Sequence, residues 1–152
     1  MRSRSTPRAA FCLALAVLAV SVYLTVVHFT SPRTLACARD GVVSCLQVTT
    51  SAQSEIAHVP VAVLGVLWAL AMTAVCSPWA WRSGRHRIDV ARVTLAVTGV
   101  AFVLWLIFAE LFLVRAICLW CTVVHVLVFA LFILIVRDAF PHAHEERGGA
   151  RP

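Results

Sequence analysis

Cys118-Leu119-Trp120-Cys121 sets two thiols one helical turn apart at the start of the last apolar run of a 152-residue chain. Two more cysteines, Cys37 and Cys45, sit in the polar stretch that follows the first apolar run. Paired thiols exchange with disulfides and pass two electrons onward without any soluble cofactor. Placed where a membrane meets water, they have the makings of an electron relay. On a helix, Cys118, Cys121 and His125 follow at i, i+3 and i+7 and project from one face. The unpaired N–H groups and dipole at the helix start favour a thiolate there. A histidine at membrane depth is a functional candidate by default, its plainer role being a bond to a neighbouring helix.

The elements that must hold these residues are membrane helices. Hydrophobic residues make up 61% of the chain and the mean hydropathy is +0.91, whereas a soluble domain has an apolar share of roughly half. Four segments meet or approach the ~20 residues that a spanning helix needs: Ala9 to Phe29, Val59 to Cys76, Val93 to Leu113 and Ala116 to Val136. The expected fold is an all-α integral membrane protein, a four-transmembrane-helix bundle. Residues 1–8 form a basic tail and 9–137 the membrane domain, with an outer loop at 30–58 and an inner loop at 77–92. Residues 138–152 are expected to form a disordered cytoplasmic tail.

Within the outer loop, Leu46 to Ile56 is expected to make a short amphipathic helix lying at the interface, and Pro60 suits the first turn of the second membrane helix. Ser77 to Gly84 reads as a turn with two interfacial tryptophans. The connection from Leu113 to Ile117 is so short that helices three and four must be antiparallel neighbours. Leu35-Ala36-Cys37 has the look of a lipoprotein cleavage site. The preceding apolar run is too long for a signal, and Thr30 to Thr34 separates the two, so the first segment is expected to stay in the membrane.

The net charge of +6 is carried by arginine alone, with no lysine. Ten arginines fall at the N-terminus, in the second connection (Arg82, Arg85, Arg87, Arg92) or after the fourth segment; only Arg33, Arg39 and Arg115 fall on the other side. The positive-inside rule puts both termini in the cytoplasm and the cysteines of the loop and of the C-x-x-C on the outer, oxidising face of a cytoplasmic (inner) membrane. Basic charge so distributed implies lipid contact and no nucleic-acid partner.

Blander roles compete. Free cysteine behaves as a small apolar core residue, which is the reading adopted for Cys12 and Cys76. Zinc sites favour ligand pairs two to four residues apart, but seven residues separate Cys37 from Cys45. Neither the four cysteines nor His142 and His144 in the tail are therefore expected to hold a metal. Glu110, near the outer end of helix three, is expected to pair with Arg115, a proton route being the alternative. His28 and His58 are assigned no role.

Taken together, Cys37 and Cys45 with Asp40 and Gly41 between them, Ser51, Pro60, Gly65 and the C-x-x-C at the start of helix four resemble the vitamin K epoxide reductase family, closest to its bacterial members. The order is specific: in the other four-helix disulfide-generating family, that of DsbB, the C-x-x-C comes first and the spaced pair second. The resemblance implies a four-helix bundle around a quinone, ubiquinone or menaquinone. Cys118 and Cys121 would be the active-site pair and Cys37 and Cys45 a shuttle pair. Cys121 would serve the quinone, Cys118 exchange with Cys45, and Cys37 face the soluble partner, a DsbA-like thioredoxin-fold protein expected to be a separate chain. Ser51 matches the family's hydroxyl residue near the quinone head-group.

Two departures count against epoxide reduction. His125 stands where epoxide-reducing members carry a tyrosine, and Val61 aligns where they carry an asparagine. The expected activity is a quinone-dependent thiol oxidoreductase supporting disulfide formation. A thiolate at Cys121, held by the helix dipole, would donate to the quinone, with Ser51 or His125 stabilising the developing oxygen charge. The alternatives are a quinone or epoxide reductase, or a non-catalytic membrane component binding metal through its cysteines.

Overall fold

The computed structural model describes residues 5–30, 43–56 and 58–139. Cys37, the first part of the expected outer loop, the start of the basic tail and the tail after Ala139 lie outside them. In hydrocarbon a backbone has no water to bond to, so long apolar segments resolve as helices. Among the described residues, three helical stretches are long and apolar enough to cross a membrane: α1 (Ser5–Thr30), α5 (His86–Phe108) with the π-helical turn Ala109–Val114 that continues it, and α6 (Leu119–Ala139). The fourth apolar helix, α3 (Val61–Cys76), has 16 residues. At ~1.5 Å per residue it covers about 24 Å, short of a ~30 Å hydrocarbon core.

These helices close a ring in which α1 and α5 each pack on both α3 and α6. Leu67, Leu70, Val97, Leu104, Val126 and Ile133 point outward and are exposed, as suits surfaces whose solvent is lipid. Inside the ring small residues set the spacing. Ala10, Ala14, Val17 and Ser21 form one buried stripe on α1, at i, i+4, i+7 and i+11. Gly65 of α3 meets it, where a Cβ would lie 3.3 Å from Ser21 Oγ. Gly99 of α5 lies under the Trp68 ring so closely that a Cβ would clash with it, and Trp68 Nε1 donates to Leu95 O at 3.0 Å.

One end of the ring is closed by an arginine. Arg92, in the second turn of α5, is 3% exposed and not the loop cation that its position in the sequence suggested. Its Nε and Nη2 donate to Val75 O at 3.1 and 2.9 Å, and its Nη1 to Asp89 Oδ1 at 2.7 Å. The guanidinium carbon lies 3.8 Å from the Trp81 ring centroid. Val75 sits in the last turn of α3, where carbonyls have no partner within the helix, so the guanidinium acts as a C-terminal cap. Trp81 belongs to α4 (Pro78–Arg82), a short helix where a turn was expected; Ser77 Oγ caps it by accepting the Ala80 N–H at 3.2 Å.

At the other end, the expected single helix over 46–56 breaks into pieces. These are α2 (Cys45–Thr49), a 3-10 turn (Ala52–Ser54) and a hairpin of β1 (Glu55–Ile56) and β2 (Val59–Pro60), paired Glu55 to Pro60 and Ile56 to Val59. The cause is local. Thr49, Thr50 and Ser51 turn their hydroxyls onto the carbonyls of Cys45, Leu46 and Val48 at 2.8, 2.7 and 2.8 Å, a competition that ends helices. Pro60 stands just before α3, at its cap position, and not within its first turn.

Candidate redox site

The cysteine end is assembled by a change of helical pitch. Through Ala109–Val114 the chain widens into a π turn and then reverses at Arg115, whose φ of 56° is left-handed. Glu110 O accepts the Arg115 and Ala116 N–H groups, the second at 3.2 Å. π turns recur at functional sites because they redirect side chains that a regular helix would leave in register. Here Glu110 points inward and is 7% exposed, while Arg115 is exposed. The expected Glu110–Arg115 ion pair does not form: the two side chains leave the turn in different directions.

The segment after the turn serves as a docking edge. Val43 and Ile117 make a parallel bridge, Ser44 N–H donates to Ile117 O at 3.1 Å, and Gln47 Nε2 donates to Val114 O at 3.1 Å. Ser44 Oγ also caps α2 by accepting the Gln47 N–H at 3.3 Å. These contacts carry Cys45, the first residue of α2, into a buried cluster with Cys118 and Val27, against which Tyr23, Trp120 and Cys121 pack. Cys45 is 1% and Cys118 0% exposed. Cys45 is in a disulfide, whereas Cys118 and Cys121 are free thiols. Cys12, exposed on α1, and Cys76, buried beside Arg92, lie apart from this cluster.

Cys118 occupies the capping position of α6, and its Sγ accepts the Cys121 N–H at 3.3 Å. The helix start thus favours charge on Cys118 and not, as expected from sequence, on Cys121. The Cys121 thiol adds a second hydrogen bond, and together they hold the Cys118 thiol below its ordinary value of 9.0 against the opposing effect of burial. The Glu110 carboxyl group lies beside both thiols, within reach of Cys121 Sγ and of the Cys118 backbone N–H.

Beneath Cys121 the ring encloses a cavity of about 300 Å³. Its walls are mainly aliphatic, with Trp68 on one side and Ser21, His28, Ser51, Glu110 and His125 as polar points. His125 is 5% exposed, and its Nε2 has no hydrogen-bond partner among the described residues. Ser51 lines the same cavity, but its hydroxyl donates to Val48 O at 2.8 Å. It is therefore free only to accept. His28, given no role by sequence, lines the cavity too and lies 4.0 Å from Glu55 Oε1.

Of the residues singled out from the sequence, Cys45, Cys118, Cys121, Ser51 and His125 come together here, while Cys37 lies outside the described residues. Sequence reasoning misplaced Glu110. The available signal was a carboxyl group at membrane depth, which the nearby arginine explained away too readily. A model of the vitamin K epoxide reductase family matches residues 8–136. No curated protein matches the sequence.

Proposed function

Because this chain belongs to the vitamin K epoxide reductase family, we propose that it is a membrane thiol oxidoreductase that takes electrons from an extracytoplasmic thioredoxin-fold protein and passes them to a membrane quinone. One observation carries the reading: Cys45 and Cys118 share a buried cluster, and Cys121, next in line, opens onto an apolar cavity. That arrangement supports a relay of two pairs in series. The partner would reduce Cys37–Cys45; Cys45 would then attack the Cys118–Cys121 disulfide at Cys118, freeing Cys121 toward the cavity. Cys118 is the better-stabilised thiolate of its pair and so the better leaving group when Cys37 resolves the mixed disulfide.

The residues around the cavity fit a quinone. Few polar groups break an otherwise apolar wall, as in pockets that bind largely apolar ligands. A bound quinone accepts two electrons and two protons. His125 Nε2 is available to bond its oxygen, and Trp68 lines the same wall. Ser51 would first have to leave Val48 in order to donate. In this reading α3 makes the fourth crossing, both termini are cytoplasmic, and the cysteine end faces outward.

The test is oxidation of a reduced thioredoxin-fold protein by the purified chain in detergent, with and without added ubiquinone or menaquinone. Thiol oxidation that requires quinone and forms quinol is expected. Turnover without quinone, or consumption of an epoxide in place of a quinone, would replace this reading; bound metal with no turnover would favour a non-catalytic role.

A further inference from the structure

We propose that Glu110 is the catalytic base of the inner cysteine pair: its carboxylate takes the proton of the Cys121 thiol as Cys118 and Cys121 are oxidised, and releases it into the cavity. This rests on the thiol oxidation proposed above, but not on the identity of the electron acceptor. Three features of the geometry support it. Glu110 and Cys121 line the same cavity, with the carboxyl group beside the Cys121 thiol. The π turn exists at Glu110 itself, whose carbonyl closes the turn while its side chain enters the cavity. Among the described residues no arginine pairs with the carboxylate, because Arg115 is turned away.

The balance is simple. Two thiols lose two electrons and two protons as the Cys118–Cys121 bond forms, and the acceptor, a quinone by class, takes both. Glu110 holds one of those protons between its departure from Cys121 Sγ and its arrival on the acceptor, ending each turnover as a carboxylate. The titratable groups that face it are Cys118 and Cys121 at the start of α6, His125 one turn further along α6 and, across the cavity, His28 of α1. His125 is the nearest rival as base. However, no hydrogen bond joins its Nε2 to any described residue, whereas Glu110 is in place.

A merely structural role is also available, since Glu110 lies within reach of the Cys118 backbone N–H and so can steady the start of α6. Glu110→Gln separates the two. The amide oxygen can still accept that N–H, but the amide cannot take a proton. In Glu110→Gln, kcat for thiol oxidation is expected to fall about 10²-fold, the usual scale of a positioned base. KM for quinone should be unchanged, and the pH at which the rate rises should move up toward the range of an unassisted thiol. An unchanged kcat and pH profile would overturn the proposal.

A second readout needs no quinone. Oxidising the reduced protein with diamide, as an infrared difference measurement, should perturb a carboxyl band that is missing in Glu110→Gln. A spectrum identical in the two proteins would equally overturn it. If wild-type protein showed no quinone-linked turnover yet retained this band, the proposed acceptor would fail while the role of Glu110 stood.

Discussion

Both ends of this bundle bury a charged group, and they treat it in opposite ways. Arg92 is surrounded by partners: the Val75 carbonyl takes two of its N–H groups, Asp89 takes a third, and Trp81 covers its face. At the cysteine end, Glu110 and His125 are as deeply buried, but they border a cavity, and His125 Nε2 is left without a partner among the described residues. A buried polar group whose bonds are filled rigidifies a structure, and one left open is costly to keep. Local rules are broken where a site needs them broken. The contrast sets Arg92 apart as architecture and supports the proposed site at the Cys121 cavity.

The largest expected effect comes from removing Cys121. Cys121→Ala should reduce quinone-linked turnover to background while leaving thermal unfolding in detergent close to wild type, since the side chain already borders a void. Under non-reducing peptide mapping, a Cys45–Cys118 disulfide should accumulate, formed when Cys118 attacks Cys37–Cys45 and open only to reversal by Cys37 once Cys121, the resolving thiol on the other side, is gone. Accumulation of Cys37–Cys45 alone would mean that the pairs do not act in series. The same variant tests the electrostatics. Cys118 is held below 9.0 chiefly by the Cys121 hydrogen bond, so its thiolate forms at lower pH than an ordinary thiol, and loss of that bond should raise the midpoint. Thiolate absorbance of reduced protein, titrated with and without Cys121, measures it; a midpoint that stays or falls would show that burial had been misjudged.

How much of this contrast could be read from the sequence follows from the range of the forces involved. The spans announced themselves, because a run of apolar residues has one outcome in lipid. Cys118, Cys121 and His125 were legible as one helix face because their spacing is local. The approach of Cys45 to Cys118 was implied by the family resemblance and not by spacing, since it depends on the Val43–Ile117 bridge and the Gln47–Val114 hydrogen bond, both contacts between distant parts of the chain. Glu110 was misread because an α-helical register was assumed through a π turn. Arg92 was counted as a loop cation because its partner, the free carbonyl at the end of α3, is a property of the backbone that no residue type betrays.

The middle-sized effect belongs to the arginine end. Arg92→Met keeps most of the apolar stem but leaves Val75 O without its donor, and Asp89, whose side chain is 38% exposed, without its ion. Unfolding in detergent should come earlier by about 1–3 kcal/mol, the cost of a buried group left unsatisfied. Quinone-linked kcat per folded molecule should stay within twofold, because Arg92, Asp89, Val75 and Trp81 do not line the cavity. A variant of normal stability but poor kcat would break the division between the two ends.

The smallest effects are expected from the two cysteines outside the relay, and they differ from each other for a physical reason. Cys12 is exposed on α1 and faces what would be lipid, so Cys12→Ala should change neither stability nor turnover measurably. Cys76 is 0% exposed and packs with Met72, Leu131 and Ile135 in the cluster next to Arg92. Truncating it to Ala leaves a small void at the arginine end, which should cost about 1 kcal/mol of stability. Turnover of the folded Cys76 variant should nevertheless match wild type, because its sulfur lies in the arginine-end cluster and not with Cys45, Cys118 and Cys121. Comparing the double variant with wild type in both assays separates packing from chemistry. A fall in quinone-linked turnover larger than the fall in folded fraction would place a fifth sulfur in the electron path and undo the assignment of that end as architecture.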